Sequence, residues 1–208
     1  MRVLLMRHGQ TTLNVDKKFY GDLDPDLTEL GEEQAREIAT MLKVNGLCPE
    51  AIFTSDSRRT RNTVGIICNE NNWQDIRIEV DRDFNEKSFG RWEGLNADEI
   101  EARFPDEWWN YIDEPLYTTP KGAEPYANFV ERIDRAFYKM LKTSFDNAYE
   151  LIVFVCHNGV LRDLSARFLE NEKEYWDIYY YHGNIYEYAL KSLSDLAKGN
   201  TLRKVYQK

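Results

Sequence analysis

The sequence predicts an α/β fold, a three-layer αβα sandwich around a mainly parallel sheet, in a single domain spanning 1–208. Three observations predict it. Short runs of branched and aliphatic residues recur along the chain, helix-periodic segments separate them, and the first and last of these runs lack polar alternation. A strand covered on both faces has no wet side to alternate with, so such runs mark central strands of a parallel sheet. Strands that alternate with helices build layered α/β folds. With 208 residues, the chain is long enough for one full core and short for two.

The elements follow in order. Arg2–Met6, Ala51–Thr54, Ile76–Val80 and Leu151–Cys156 read as buried strands, the first and last as central ones. Behind Thr28, an N-cap residue, Ala35, Ile38, Ala39 and Leu42 fall on one helical face, and Asn45-Gly46 supplies a stop. From Pro125 onward, Val130, Ile133, Phe137, Met140, Leu141 and Ser144 trace a second stripe. Leu161, Leu164, Ser165 and Phe168 mark a third helix directly after the last buried strand. Two late strands are expected, one around Tyr186, Tyr188 and Leu190 and one over Thr201–Tyr206. Residues 95–124 break the rhythm, with Phe104, Trp108, Trp109, Tyr111 and Tyr117 among three prolines. Two readings stand for them: a helical excursion whose aromatics simply pack, or a cap over a cleft that helps choose a substrate. No internal repeat, low-complexity tract or interdomain linker is visible.

Charge narrows the partners. Acidic residues outnumber basic ones, 36 to 27, leaving a net charge of −9. Nucleic acids and anionic membranes call for a cationic face, so neither is an expected partner. A small anionic substrate remains open, because a few arginines converging in a cleft reverse the local field. No stretch approaches the roughly 20 apolar residues of a membrane span, and no targeting segment is visible. The three cysteines are odd in number and lack CxxC spacing, which argues against a disulfide framework and a zinc site. A reducing, cytoplasmic setting is expected, with no metal and no cofactor.

Two histidines sit where ligands gather in open α/β sheets, just beyond the carboxyl ends of strands. Arg7-His8-Gly9 follows the first strand, and His157-Asn158-Gly159 follows Leu151–Cys156. With three histidines in the whole chain, two at strand ends suggest one site. Each carries a nearby glycine, which lets backbone approach a ligand closely. An arginine cluster, Arg58, Arg59 and Arg61, opens the helix after Ala51–Thr54, and guanidinium forks bind phosphate bidentately. Taken alone, that cluster would read as a solvated helix start. The loop Phe84–Gly94 brings Glu86 and Glu93 into an aromatic setting, where a desolvated carboxyl can hold and deliver a proton.

Arg7-His8-Gly9 with Thr11 and Asn14 resembles the opening signature of the histidine phosphatase superfamily, the phosphoglycerate-mutase-like fold. Gly21, Asp24, Leu27-Thr28, Gly31 and Gln34-Ala35 continue its pattern in register. Ser55-Asp56 with Arg59 and Thr63 resembles its second arginine motif, and the family spacing selects Arg59 over Arg58 and Arg61. Glu86 with Phe89-Gly90 and Trp92-Glu93-Gly94 resembles the acid-bearing motif. Gly122-Ala123-Glu124 and Val155–Arg162 complete the series, with the second histidine in the latter. The layout of 95–124 is similar to that of the smaller phosphatases, including those acting on α-ribazole phosphate. Four positions depart from the pattern: Gln10 for glutamate, Asp26 for proline, Thr60 for alanine and Asn158 for glycine. Gln10 and Asn158 are expected to adjust substrate choice, and Thr60 to be silent.

The resemblance implies roles. His8 is the nucleophile that becomes phosphohistidine, and Glu86 protonates the leaving oxygen and then activates water. Arg7, Arg59 and His157 hold the equatorial oxygens, while Asn14 and the amide of Asn158 add neutral donors. Glu93 competes with Glu86 for the acid role, or else braces the loop. His182 lies outside every motif and is expected to be structural or exposed. The implied activity is hydrolysis of a small phosphorylated metabolite, with α-ribazole phosphate, a sugar phosphate or phosphoglycerate as substrates. A phosphoglycerate mutase is the rival, set back by the longer insertions that mutases carry. A non-catalytic phosphate-ligand-binding domain is the second rival, set back because every residue of the implied machinery is present.

Overall fold

Alternation along the first strand decides the layering. The structure, a computed structural model, describes residues 1–169, 173–193 and 202–207. Within β1 (Arg2–Arg7), Val3 and Leu5 point to one face and Leu4 and Met6 to the other, all buried. Within β4 (Leu151–Cys156), Ile152 and Phe154 join the first set and Val153 and Val155 the second. Both faces of these strands are therefore apolar, and each needs a helical layer.

One layer consists of α2 (Glu29–Val44) and α3 (Arg58–Asn71), which bury Ile38, Leu42, Val64 and Ile67 against Leu4 and Met6. The other holds α6 (Tyr126–Asp146) and α7 (Asn158–Leu164), which bury Ile133, Phe137, Val160 and Leu161 against Val3 and Leu5. Thr28 caps α2 as expected, accepting from Gly31 N at 3.0 Å, and Gly46 ends it at φ +61°. The α6 stripe runs as expected, with Phe129 and Ala136 added to it. The third helix forms, but its last turn, Ser165–Leu169, widens into π geometry.

Six strands make one sheet in the order β3-β2-β4-β1-β5-β6, with β2 at Ala51–Thr54 and β3 at Arg77–Val80. The first four are parallel. The late strands β5 (Ile185–Ala189) and β6 (Leu202–Tyr206) are added antiparallel to their neighbours, so the sheet is mixed at one edge. Thr201 lies outside the described residues. One expectation fails. The run Ile76–Val80 is not buried: β3 is the opposite edge strand, and Ile78 and Val80 are 44% and 47% exposed. An edge strand has only one neighbour to cover it, and its short apolar run could not reveal that.

The remaining helices lie off the sandwich: α1 (Thr12–Val15), α4 (Ala97–Arg103) and α5 (Pro105–Asp113). Pro105 opens α5, where a missing N–H costs nothing. On α5, Trp108 and Tyr111 pack with Phe19 and Trp92 in one aromatic cluster. Among the described residues no helix is long and apolar enough to cross a membrane.

Candidate active site

Strand register assembles the site. β1 and β4 are neighbours with Arg7 opposite Cys156, so His8 and His157 leave the sheet side by side. His8 N donates to Cys156 O at 3.0 Å, and the two imidazole rings are 5.4 Å apart. β2 sits on the far side of β4 with Thr54 opposite Val155, which delivers Ser55 and the start of α3 to the same edge. Gly9 is needed here because the loop meets α2 closely: a Cβ at Gly9 would lie 2.2 Å from Gly31 O.

The hydrogen bonds of His8 orient it. Its Nδ1 sits 2.8 Å from Gly9 O, and a carbonyl can only accept, so Nδ1 carries the hydrogen and Nε2 the lone pair. Burial, helped by His157, Arg59 and Arg7, holds the imidazole well below its ordinary pKa. His8 is thus neutral at pH 7, with a bare nitrogen available.

Four polar groups surround it. Arg7 donates through Nη1 to Tyr179 OH at 2.7 Å, while its buried Nε has no partner among the described residues. Such a donor calls for an acceptor, and an oxyanion supplies one. Arg59 is 1% exposed, whereas Arg58 and Arg61 are exposed. Its Nη1 donates to Leu23 O and Asp24 Oδ1, both at 3.0 Å, and its Nη2 to Gly21 O. Its Nε donates to His157 Nδ1 at 3.3 Å. Burial and then Arg59, Arg7 and Arg132 hold His157 well below its ordinary pKa. Asn14 accepts from Thr11 N and Thr11 Oγ1 through Oδ1, both at 3.0 Å, which leaves its amide nitrogen for the cavity it lines.

Glu86 faces the same space and is held by backbone. Its Oε2 accepts from Gly159 N at 2.9 Å and its Oε1 from Lys87 N at 3.0 Å. Gly159 is required for this contact, since a Cβ there would lie 2.3 Å from Glu86 Oε1. Beneath the loop, Arg132 grips Glu124 bidentately at 2.7 Å and donates to Asp83 O, Asn85 O and Glu86 O. Glu93 braces: its carboxylate accepts from Gly21, Asp22, Leu23 and Phe89 amides and so ties two loops together.

Two expectations change, for Gln10 and Thr60, and two become specific, for Asn158 and His182. Asn158 lines the cavity, and its side-chain oxygen accepts from Tyr180 N at 3.0 Å, which leaves its side-chain and backbone nitrogens as the donors for a ligand. Gln10 turns to the start of α2, accepting from Thr28 Oγ1 at 3.1 Å, and does not line the cavity. His182 takes the structural of its two expected readings: its Nδ1 donates to His8 O at 2.6 Å and its ring is 5.6 Å from that of His8. Thr60 is not silent: fully buried, it hydrogen-bonds Ser55 Oγ at 2.7 Å, and Ser55 Oγ meets His157 Nε2 at 2.8 Å. Tyr20 and Tyr179, which no motif singles out, also reach the site, Tyr20 through Thr11 and Tyr179 through Arg7.

His8, Arg7, Arg59, Asn14, Glu86, His157 and Asn158 line one cavity of about 580 Å³. The lining also includes Lys17, Lys18, Lys87 and Arg162, together with Tyr111, Tyr175 and Trp176. The cavity is therefore cationic within an acidic protein. Within 95–124, Trp108 packs inward against Trp92, while Tyr111, Pro115 and Leu116 line the cavity. Among the described residues no His, Cys, Asp and Glu cluster has the makings of a metal site.

The chain is similar to several known proteins. A 2,3-bisphosphoglycerate-dependent phosphoglycerate mutase of Methylorubrum populi is 35% identical over 166 residues, 78% of this chain and 76% of its own length. Across such mutases, the chain covers between 63% and 78% of their length. Among solved structures, α-ribazole phosphatase from Shigella flexneri superposes with a TM-score of 0.83 at 24% identity, covering 98% of this chain and 95% of that one. A mycobacterial glucosyl-3-phosphoglycerate phosphatase superposes with a TM-score of 0.73 at 26% identity, over 90% and 92%. The family profile for the histidine phosphatase superfamily (branch 1) matches residues 3–192. With that profile spanning nearly the whole chain, and both histidines at the edge of the expected sheet, the chain belongs to the histidine phosphatase superfamily.

Proposed function

We propose that this protein is a phosphomonoesterase that hydrolyses a small phosphorylated metabolite through a phosphohistidine on His8. The observation that carries the reading is the bare Nε2 of His8, set among Arg7, Arg59 and His157 with the Glu86 carboxyl fixed by Gly159 N. His8 Nε2 attacks phosphorus in line, and the arginines and His157 take up charge on the equatorial oxygens. Glu86 protonates the departing alkoxide, then receives a proton from the water that attacks the phosphohistidine. Asn14 and the Asn158 amide add neutral donors. Each step is served by side chains already in place, which is why a purely binding role is set aside.

The size and lining of the cavity support a substrate with more than a three-carbon backbone. About 580 Å³ falls in the range of sites that enclose drug-sized ligands. Tyr111, Tyr175 and Trp176 offer ring faces beyond the phosphate end. A phosphorylated sugar or a ring-bearing ester such as α-ribazole phosphate fits that lining better than phosphoglycerate does. The mutase reading stays as the second one, favoured by the 35% identity to a phosphoglycerate mutase.

The test is phosphate release from a panel of phosphorylated metabolites, including α-ribazole phosphate and 3-phosphoglycerate, beside His8→Ala. Release that vanishes in the variant supports the phosphatase. Conversion of 3-phosphoglycerate to its isomer without free phosphate would replace it with a mutase.

A further inference from the structure

Hydrogen-bond direction beneath His157 can be read without ambiguity. Arg59 Nε only donates, so His157 Nδ1, 3.3 Å away, carries the lone pair. The ring hydrogen is then on Nε2, where Ser55 Oγ lies at 2.8 Å and Ser57 Oγ at 3.5 Å. Ser55 Oγ accepts that hydrogen and gives its own to Thr60 Oγ1 at 2.7 Å. Thr60 Oγ1 gives its hydrogen to a carbonyl, Ser57 O at 2.8 Å, with Ser55 O at 3.2 Å. A carbonyl cannot donate, so the chain has a single direction. His157, Ser55 and Thr60 are each at most 1% exposed, and no water need be invoked.

We propose that Thr60, acting through Ser55, is a positioning residue that fixes the tautomer of His157 and so couples oxyanion binding to the uptake of a proton. The proposal rests on the reading of His157 as a phosphate ligand. Ser55 does not line the cavity, so the Nε2 side of the ring faces inward and Nδ1 is the atom left for a ligand. In the fixed tautomer Nδ1 has no hydrogen to offer. An oxyanion arriving there draws Arg59 Nε–H to itself, and His157 must take a proton on Nδ1 to donate as well. The groups facing this ring are Arg59 from α3, Arg7 and His8 from the end of β1, and Arg132 from α6. The three arginines oppose the proton until an anion offsets them, which makes the linkage strong. Replacing Thr60 by the alanine usual in the resembling pattern removes the acceptor for Ser55. The Ser55 hydrogen then turns toward Nε2, and the Nδ1–H tautomer becomes available without proton uptake.

The experiment uses the whole protein labelled with 15N-histidine, in which three histidines resonate. Free wild-type protein should show His157 protonated at Nε2 and bare at Nδ1, Thr60→Ala a mixture, and Thr60→Ser the wild-type pattern. Sulfate, a dianion throughout the neutral range, is then measured as a competitive inhibitor. Its affinity for the wild type should fall with rising pH by up to about tenfold per unit for each proton taken up. The slope should be shallower in Thr60→Ala and restored in Thr60→Ser; His8 contributes equally to all three, so the difference reads His157. A proton on Nδ1 in the free wild type would overturn the proposal, as would a folded Thr60→Ala with wild-type tautomer and slope. Failure of sulfate to compete at any pH would remove the linkage together with the phosphatase reading, whereas a wrong tautomer would remove the proposal alone.

Discussion

At the residue scale, Gly159 shows how a missing side chain holds the carboxyl proposed as the acid. Its amide anchors the Glu86 carboxyl, and no Cβ fits between them. Gly159→Ala should therefore displace Glu86 while leaving His8, Arg7 and Arg59 in place. Loss of positioned acid catalysis is expected to lower kcat by about 10²-fold for an alkyl phosphate. The loss should be much smaller for a nitrophenyl phosphate, whose leaving group needs no proton. Equal losses on both substrates, measured by steady-state kinetics, would show that Glu86 is not the proton donor. The charged members of this site were legible because rare residue types recur at strand ends. Ser55, Thr60 and His182 were not, because the role of a small polar or lone histidine side chain depends on which distant atom folding brings beside it. His182 meets the His8 carbonyl from 174 residues away in sequence.

At the scale of elements, the loop carrying Glu86 has little regular structure of its own beyond a 3₁₀ turn at Arg82–Phe84 and another at Gly90–Trp92. Its shape comes from α6, through the Arg132–Glu124 pair and the carbonyls that Arg132 grips. Those side chains are 16% and 19% exposed, so breaking the pair strands a largely buried carboxylate. Arg132→Met should cost about 2–3 kcal/mol in urea unfolding, below the cost of a fully buried pair. It should also lower kcat more than it raises KM. Unchanged stability and kcat would show that the loop shapes itself. The strands and long helices were legible from period and capping alone. The edge position of β3 was not, since a four-residue strand carries too little pattern to tell one covered face from two.

Across the whole molecule, three histidines held neutral make stability depend on pH. His182 is lowered to about 3, chiefly by burial, and burial is also the main reason that His8 and His157 are lowered. All three charge in the unfolded chain below about pH 6.5 but resist charging when folded. Below that pH the unfolded state binds more protons, so stability is complete above about pH 6.5 and falls toward the folded values. Each histidine contributes up to about 1.4 kcal/mol per pH unit in that window. The urea midpoint should thus drop between about pH 7 and 5, and His182→Asn, which keeps a donor for His8 O, should soften the drop. A midpoint flat over that range would mean that the histidines are not buried neutral. The overall layering was legible because the lack of polar alternation within β1 and β4 demands a helical layer on each face. The strap from residue 173 to 183, which sets Tyr179 and His182 against Arg7 and His8, carried no periodic signal.

The central claim is the phosphohistidine, and the direct measurement is to trap it. The protein is mixed with a turning-over phosphomonoester, quenched in alkali, where phosphohistidine survives, and mapped by peptide mass spectrometry. One phosphoryl group on the peptide containing His8, labile to acid and absent from His8→Ala, is the predicted result. Turnover with His8 unmodified, or with the phosphoryl group on another residue, would contradict it.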